Sequence, residues 1–441
     1  MEPDSRTVPS RGQRSGRRSG GKPTKRTDAD ADATVTIVGG GVHGVHLAVR
    51  LLGADVIELD ELRIVDPSAP LESFRRKCHQ CGMVELRSPF VHHVGTDPFS
   101  LRDFARAHGR EDELVPSTVG AERPTASLFF DHAEALCDRY DLESIRVDDR
   151  ATAIVDRRNG VETRTDSRRI RSRWCLLAVG YGHAVTRPAW AERVASTGPV
   201  THVWDPAFDP EAVGETSSVG VVGGGITAGQ LATTLVRPGR DVVLFARSPF
   251  RVETLEASTD WMHFSGAMEE LHAHPPGSSA REELVSDARY DGTMPPYVFR
   301  RLQRALERGE VELERSEIEV ATEAGGTVVV TCRDGSAFCL DELICATGFG
   351  SPYDGELFRH LRGESALRTG YRGAPVLDDD TLRWMRQDGT LSRIAVSGAA
   401  ARQVLGPFAH NVIGARRAGE LIAGFLESEL AVGRREPELA N

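Results

Sequence analysis

The sequence predicts an α/β protein built from two parallel-sheet, Rossmann-like units behind a disordered N-terminal tail. Three observations carry that prediction. The stretches "TVTIVGGGVHGVHLA" (34–48) and "GVVGGGITAGQLA" (220–232) each read as a buried strand, a glycine-rich turn and a helix. Each is followed by a second apolar strand, "LRIVDPS" (62–68) after the first and "DVVLFARS" (241–248) after the second. Further buried strands closing on glycine recur at "RWCLLAVGYG" (173–182), "DELICATGFG" (341–350) and "RIAVSGAA" (393–400). This is a duplication of strand–glycine–helix units at long spacing, not a short-period repeat.

The remaining elements follow in chain order. Residues 70–145 are irregular, with helical segments at "SLRDFARAHG" and "DHAEALCDRY". "PPYVFRRLQRALERGEVEL" (295–313) reads as helix, "GTVVVTCRDG" as strand and turn, and "NVIGARRAGELIAGFLESEL" as a closing helix. The expected boundaries are a tail at 1–33, segments at 34–213, 214–346 and 347–432, and a flexible end at 433–441.

Composition narrows the function classes. A net charge of −11 argues against nucleic acid as a partner, because phosphate binding needs a cationic face. All but three of the 54 basic residues are arginine; the lysines are Lys22, Lys25 and Lys77. Seven cysteines without a disulfide-like framework fit a reducing cytoplasm. The uncharged run from Ser217 to Val236 has the length of a membrane span, but its five glycines and its strand–turn–helix pattern argue against one. The tail contains Arg17-Arg18 without an apolar stretch behind it, so no export signal is expected.

Gly39, Gly41 and Gly44 satisfy G-x-G-x-x-G between a strand and a helix, the Rossmann arrangement. The first glycine permits the turn, the second admits a diphosphate to the backbone, and the third lets helix and strand pack closely. The helix N-terminus adds NH groups and a positive dipole end. Asp66 ends the next strand, where a carboxylate accepts ribose hydroxyls. The second cradle uses Gly223, Gly225 and Ala228, and its next strand ends in Arg247 and Ser248, with Arg251 behind. A carboxylate there would repel a 2′-phosphate; a guanidinium binds it through paired hydrogen bonds. One site therefore reads as a cradle for a dinucleotide held through its ribose, the other as an NADPH cradle. His43 and His46 fall inside the first helix and read as structural. His92, His93, His272 and His274 lack an accompanying metal motif, so no metal site is expected.

With these residues the chain resembles the two-dinucleotide flavoproteins, in which FAD occupies the first site and NADPH the second; the resemblance implies an FAD-binding unit at 34–213 and 347–432 with an NADPH-binding unit, 214–346, inserted into it. "ATG" at 346–348 is similar to their return crossing between units, which brings Thr347 and Gly348 to the cofactors, and "LAVG" at 177–180 to the outward one. Within that group, Asp341 followed by Cys345-Ala346-Thr347-Gly348-Phe349 resembles the D-x-x-x-L-A-T-G-Y signature of the lysine and ornithine N-hydroxylases, with Cys for Leu and Phe for Tyr. The resemblance places Gly398 and Asn411, at the start of the closing helix, beside the flavin. Gly198 and His202 keep the G-x-x-x-H spacing of a broader monooxygenase motif, with Ser196 in place of its Phe. "MVELRSPFVHH" (83–93) falls where these families place residues beside the flavin. Arg87 and His202 are thus the catalytic candidates, and 83–97 and 252–295 the candidate substrate pocket.

The resemblance implies an FAD- and NADPH-dependent monooxygenase acting on an amine nitrogen of a small molecule with molecular oxygen. In such enzymes NADPH passes hydride to the flavin, oxygen adds at C4a, and the hydroperoxide gives its distal oxygen to the nucleophile. Two alternatives stand beside it. Cys78 and Cys81 form a CxxC pair, the geometry of a disulfide reductase, though the reductase branches keep theirs in other spacing or context. The other alternative is a dinucleotide-binding sensor without turnover.

Overall fold

A computed structural model describes residues 32–117, 120–157, 159–181, 184–194, 198–262, 266–364 and 366–435. The tail up to residue 31, Ser196 and residues 436–441 lie outside the described residues.

The first unit is built on an eight-stranded sheet. Its parallel centre runs Leu391–Val396, Arg169–Leu177, Ala33–Val38, Leu62–Val65 and Arg146–Val147. Ala33–Val38 sits in the middle because its β-branched run is buried on both faces: Val35 and Ile37 on one, Thr36 and Val38 on the other. The hairpin Ala151–Arg157/Gly160–Thr165 adds antiparallel strands to Arg169–Leu177, and Arg383–Met385 adds one to Leu391–Val396. The helix Val42–Gly53 leaves the first glycine turn and packs against the closing helix Val412–Arg435. They approach closely enough that a Cβ on Gly419 would stand 2.7 Å from His46 Nε2.

The inserted unit has an all-parallel five-stranded sheet in the order Glu312–Glu314, Asp241–Phe245, Ser218–Val222, Glu342–Cys345, Val200–His202. The edge strand Val200–His202 comes from chain ahead of the 213/214 boundary drawn on the sequence. An antiparallel sheet, Ile318–Ala324, Thr327–Cys332 and Ala337–Leu340, covers one face. One expectation is corrected here. The stretch 295–313 is not helical throughout: the helix is Pro296–Glu307, and Glu312–Glu314 is an edge strand. Gly309, at φ +69°, turns the chain between them in a conformation that a side chain disfavours.

The segment 252–295, featureless in periodicity, folds into short helices including Ala267–Ala273 and Ser279–Ala288. Trp261, Met268, Leu271 and Val285 form a small core there, closed by Phe408 from the first unit. Buried Arg281 pairs with Asp379 and donates to the Gln403 and His274 carbonyls, tying the same segment to the first sheet's unit. Among the described residues, no helix is long and apolar enough to cross a membrane.

Candidate functional site

Both glycine turns open onto one cavity of about 1780 Å³ between the units. In the first turn, Gly39 takes φ +109°, and a Cβ on it would meet the Ala178 carbonyl oxygen at 2.5 Å. A Cβ on Gly44 would lie 1.8 Å from the Gly39 oxygen, whereas one on Gly41 would meet no atom within 4 Å. Gly39 and Gly44 are therefore tight against the protein, and Gly41 borders open cavity. Asp66 ends its strand and accepts from Gly40 N (2.7 Å) and Ser68 N (2.8 Å), so it shapes the turn as well as lining the cavity. A cradle with one open glycine, a helix N-terminus without a side-chain cap and a carboxylate on its rim has the shape and donor set that an adenine dinucleotide requires.

The second turn repeats the pattern. A Cβ on Gly223 would meet the Ala346 oxygen at 2.5 Å. Gly225 borders the cavity opposite Gly292, and Ala228 is buried behind it. Arg247 lies at the cavity rim with its side chain 71% exposed, paired with Glu317 at 2.9 Å; Arg333 holds the other oxygen of Glu317. Arg251 stacks 3.9 Å over the Tyr290 ring, and Ser248 lines the same rim. Thr347 and Gly348 line the cavity and bond to the backbone of Thr186, holding the crossing strands together.

Gly398, at φ +89°, lies beside His43, whose Nδ1 is 2.7 Å from Ser397 Oγ. Burial pushes the His43 pKa down to about 4. The two catalytic candidates are placed differently. Arg87 lines the cavity, but its guanidinium donates to the Thr254 and Glu253 carbonyls and to Thr293 Oγ1, which ties 83–93 to the inserted unit. His202 is fully buried and does not line the cavity. Its Nδ1 accepts from Trp204 N at 3.1 Å, and burial lowers its pKa to about 4. Of the other histidines, His93 packs 4.8 Å from His132, and His272 bonds the Val404 carbonyl. Among the described residues, no group of three or more His, Cys, Asp or Glu could hold a metal ion.

Sequence reasoning missed a polar cluster in the innermost wall. Glu256 receives His410 Nε2 at 3.1 Å and Asn411 Nδ2 at 3.3 Å, with Arg289 at 3.5 Å and Arg87 at 4.0 Å. Burial alone would raise its pKa, but His410, Arg87 and Arg289 outweigh that and hold it well below the usual carboxylate range. Arg289 also donates to Tyr181 Oη, and Tyr181, Phe349 and Trp204 form a nearly parallel row of rings along the wall. No motif marks Glu256 or Arg289; the one signal was their position inside 252–295.

Cys78 and Cys81 sit in the helix Glu72–Gln80 and its C-terminus, packed against the inserted unit. Burial raises both thiols, Cys81 to about 12. Cys81 Sγ faces Gln230 Oε1, and Cys78 Sγ faces Met83 Sδ. Neither is placed as a ready thiolate.

Comparison with known proteins agrees with this architecture. Residues 36–182 match a family described as FAD-NAD(P)-binding. No curated protein matches the sequence. The ornithine hydroxylase of Pseudomonas aeruginosa superposes with a TM-score of 0.73 at 15% identity, over 90% of this chain and 99% of that one. The ornithine N-hydroxylase of Kutzneria sp. 744, solved with reduced FAD, NADP+ and L-ornithine, gives 0.70 at 17% identity over 90% and 99%. The bacillithiol disulfide reductase of Staphylococcus aureus gives 0.57 at 13% identity, again over 90% and 99%. At these identities the likeness is one of fold: two dinucleotide-binding units, one inserted in the other.

Proposed function

We propose that this chain is an FAD- and NADPH-dependent monooxygenase that hydroxylates an amine nitrogen of a small substrate, with FAD in the first unit and NADPH in the inserted one. The observation that carries the reading is the pair of differently terminated glycine cradles, Asp66 at one and Arg247 at the other, facing a single cavity. Two dinucleotides in one cavity can exchange a hydride; two in separate cavities cannot. The fold it shares with the ornithine hydroxylases supports the monooxygenase class and the amine as acceptor.

Bound FAD reduced by NADPH supplies the oxygen chemistry. The chain's own residues bind, orient and exclude water. Gly41 and the helix it opens seat the first diphosphate, and Asp66 keeps lone pairs for ribose hydroxyls beyond the backbone bonds it accepts. Arg247 exchanges an exposed ion pair with Glu317, worth at most about 1 kcal/mol, for a 2′-phosphate. Tyr181, Phe349 and Trp204 close the wall against water. Glu256, held ionised by its cationic neighbours, supplies a carboxylate that can pair with a substrate ammonium group; its lowered pKa makes it a poor acceptor for the proton that the amine sheds.

The buried thiols speak against the disulfide-reductase reading, since exchange needs an accessible thiolate. The test is anaerobic reduction of the flavin-loaded protein with NADPH, followed by oxygen in the presence of a panel of small amines. Bleaching by NADPH, rapid reaction with oxygen and a hydroxylamine product are expected. A flavin that NADPH does not bleach leaves the sensor reading instead, and bleaching without any oxygen reaction refutes the monooxygenase.

A further inference from the structure

Three successive cations, Arg75, Arg76 and Lys77, stand on the helix Glu72–Gln80, and their surroundings differ. Arg75 points outward, paired with Glu134 at 3.4 Å and lying 4.6 Å over the Phe130 ring. Arg76 and Lys77, further round the helix, line the cavity together with Ser73. Among the described residues neither has an ion-pair or hydrogen-bond partner, and Arg76 Nε is buried without one. Lys77 Nζ lies 5.8 Å from the Phe349 ring centroid. Burial, with the charge of Arg76 beside it, lowers the Lys77 pKa from the ordinary lysine value.

An arrangement of this kind is unfavourable in the protein alone. Two like charges are partly removed from water and set side by side without a counter-ion. Of the cavity's other arginines, Arg87 and Arg289 have Glu256, Arg247 has Glu317, Arg251 has the Tyr290 ring, Arg402 has Glu282 and Arg359 donates to the Asp354 carbonyl. Lys77 is also the one lysine after residue 25 in a chain that otherwise uses arginine. The missing counter-ion belongs to something that enters the cavity.

The helix spans the two cradles. At its start Leu71 N donates to the Gly40 carbonyl of the first turn at 2.8 Å. At its end Gln80 donates to the Asp205 and Phe208 carbonyls, and Cys81 faces Gln230 in the helix that leaves the second turn. Arg76 and Lys77 lie between. A helix N-terminus offers an anion about half a unit charge, which leaves most of a diphosphate's charge unmatched. A forked guanidinium beside a compact ammonium complements adjacent phosphoryl groups.

We propose that Arg76 and Lys77 form a two-cation site for the diphosphate of a dinucleotide bound in this cavity. The inference rests on the function proposed above. The shared chemistry is a dinucleotide diphosphate; its two sources are the flavin dinucleotide of the first cradle and the nicotinamide dinucleotide of the second.

The test compares the full-length wild type with R76Q/K77Q, the charge-conserving R76K/K77R, and R300Q, which removes an exposed arginine away from the cavity. Kd for FAD is measured by flavin fluorescence quenching on deflavinated protein, and Kd for NADP+ by equilibrium dialysis on the FAD-loaded form, each over a salt series. Losing a charge-assisted hydrogen bond weakens binding by roughly tenfold or more. R76Q/K77Q should therefore raise Kd for one dinucleotide on the order of a hundredfold and flatten its salt dependence. R76K/K77R should restore most of the affinity. The dinucleotide whose Kd moves identifies the source. Both Kd values matching those of R300Q would overturn the proposal while leaving the proposed function intact. A wild type that binds neither dinucleotide would overturn both. If R76Q/K77Q does not fold by circular dichroism, the single variant K77M replaces it in the same two measurements.

Discussion

His410 Nε2 and a carboxylate oxygen of Glu256 stand 3.1 Å apart, joining the turn before the closing helix to the inserted segment 252–295. Glu256 is 18% exposed and also serves Arg87 and Arg289, so it gathers charges from both units at the inner wall of the cavity. Glu256→Gln should leave two guanidinium groups without their counter-ion, at a cost of about 1–3 kcal/mol and a fall in Tm of on the order of a few degrees. The sign of the pH effect follows from the lowered pKa. A carboxyl group lowered on folding stabilises the protein above its unfolded pKa, and that stability is lost as pH falls through the folded value. Thermal melts from pH 7 down into the acid limb should show the variant's deficit persisting to pH 5 and shrinking below about pH 4. An equal deficit at all pH values would place the effect in packing rather than in charge.

Gly41→Val and Gly39→Val should fail in different ways. A Cβ on Gly41 meets nothing in the protein, so the variant should fold and lose flavin. On Gly39 the Cβ collides with the Ala178 carbonyl and the backbone sits at φ +109°, so that variant should lose stability itself. The ratio of flavin to protein absorbance, read beside circular dichroism, separates the two. Flavin retained by Gly41→Val would remove the first cradle from the cofactor site.

Arg247→Ala should weaken NADPH by roughly tenfold or more and leave NADH unchanged, since NADH lacks the 2′-phosphate. Glu317→Gln should act in the opposite sense, because it frees Arg247 from an exposed pair. Stopped-flow flavin reduction with both nucleotides gives the ratio directly. Equal loss with NADPH and NADH would show that Arg247 acts on the turn and not on the phosphate.

How much of this was legible in the sequence follows from what periodicity can encode. The cradles are local: a β-branched run, three small residues at fixed offsets and a helix leave a pattern within fifteen positions. Asp66 and Arg247 were legible for the same reason, since each closes the strand next to its cradle. The end of the helix at Glu307 was blurred because "RALERGEVEL" keeps an apolar rhythm across Gly309, and the backbone's positive φ there is what turns the chain. Glu256 and Arg289, from the segment 252–295, meet His410 and Tyr181 from two other stretches of the chain, and only through packing of that segment on Phe408. His202 shows the converse. Its motif spacing is visible in the chain, yet its ring turns into the protein and accepts from Trp204 N.

The CxxC pair gives the last prediction. Cys81 faces Gln230 across the unit boundary, its thiol raised to about 12 by burial, and Cys78 is buried beside Met83 with its thiol raised as well. Burial that raises both thiols leaves little thiolate at neutral pH and keeps both sulfur atoms from an acceptor, which exchange at catalytic rates requires. Native protein should therefore react slowly with a thiol reagent at both positions and quickly once unfolded. Cys78→Ser with Cys81→Ser should still oxidise NADPH in air, and the wild type should show no rapid turnover with a disulfide acceptor for the double variant to lose. The double variant should also be modestly less stable, because two hydroxyls replace two buried sulfur atoms that pack as apolar groups. Rapid turnover of a disulfide by the wild type, abolished in the double variant, would reverse the assignment and require the helix Glu72–Gln80 to move away from the inserted unit during the reaction.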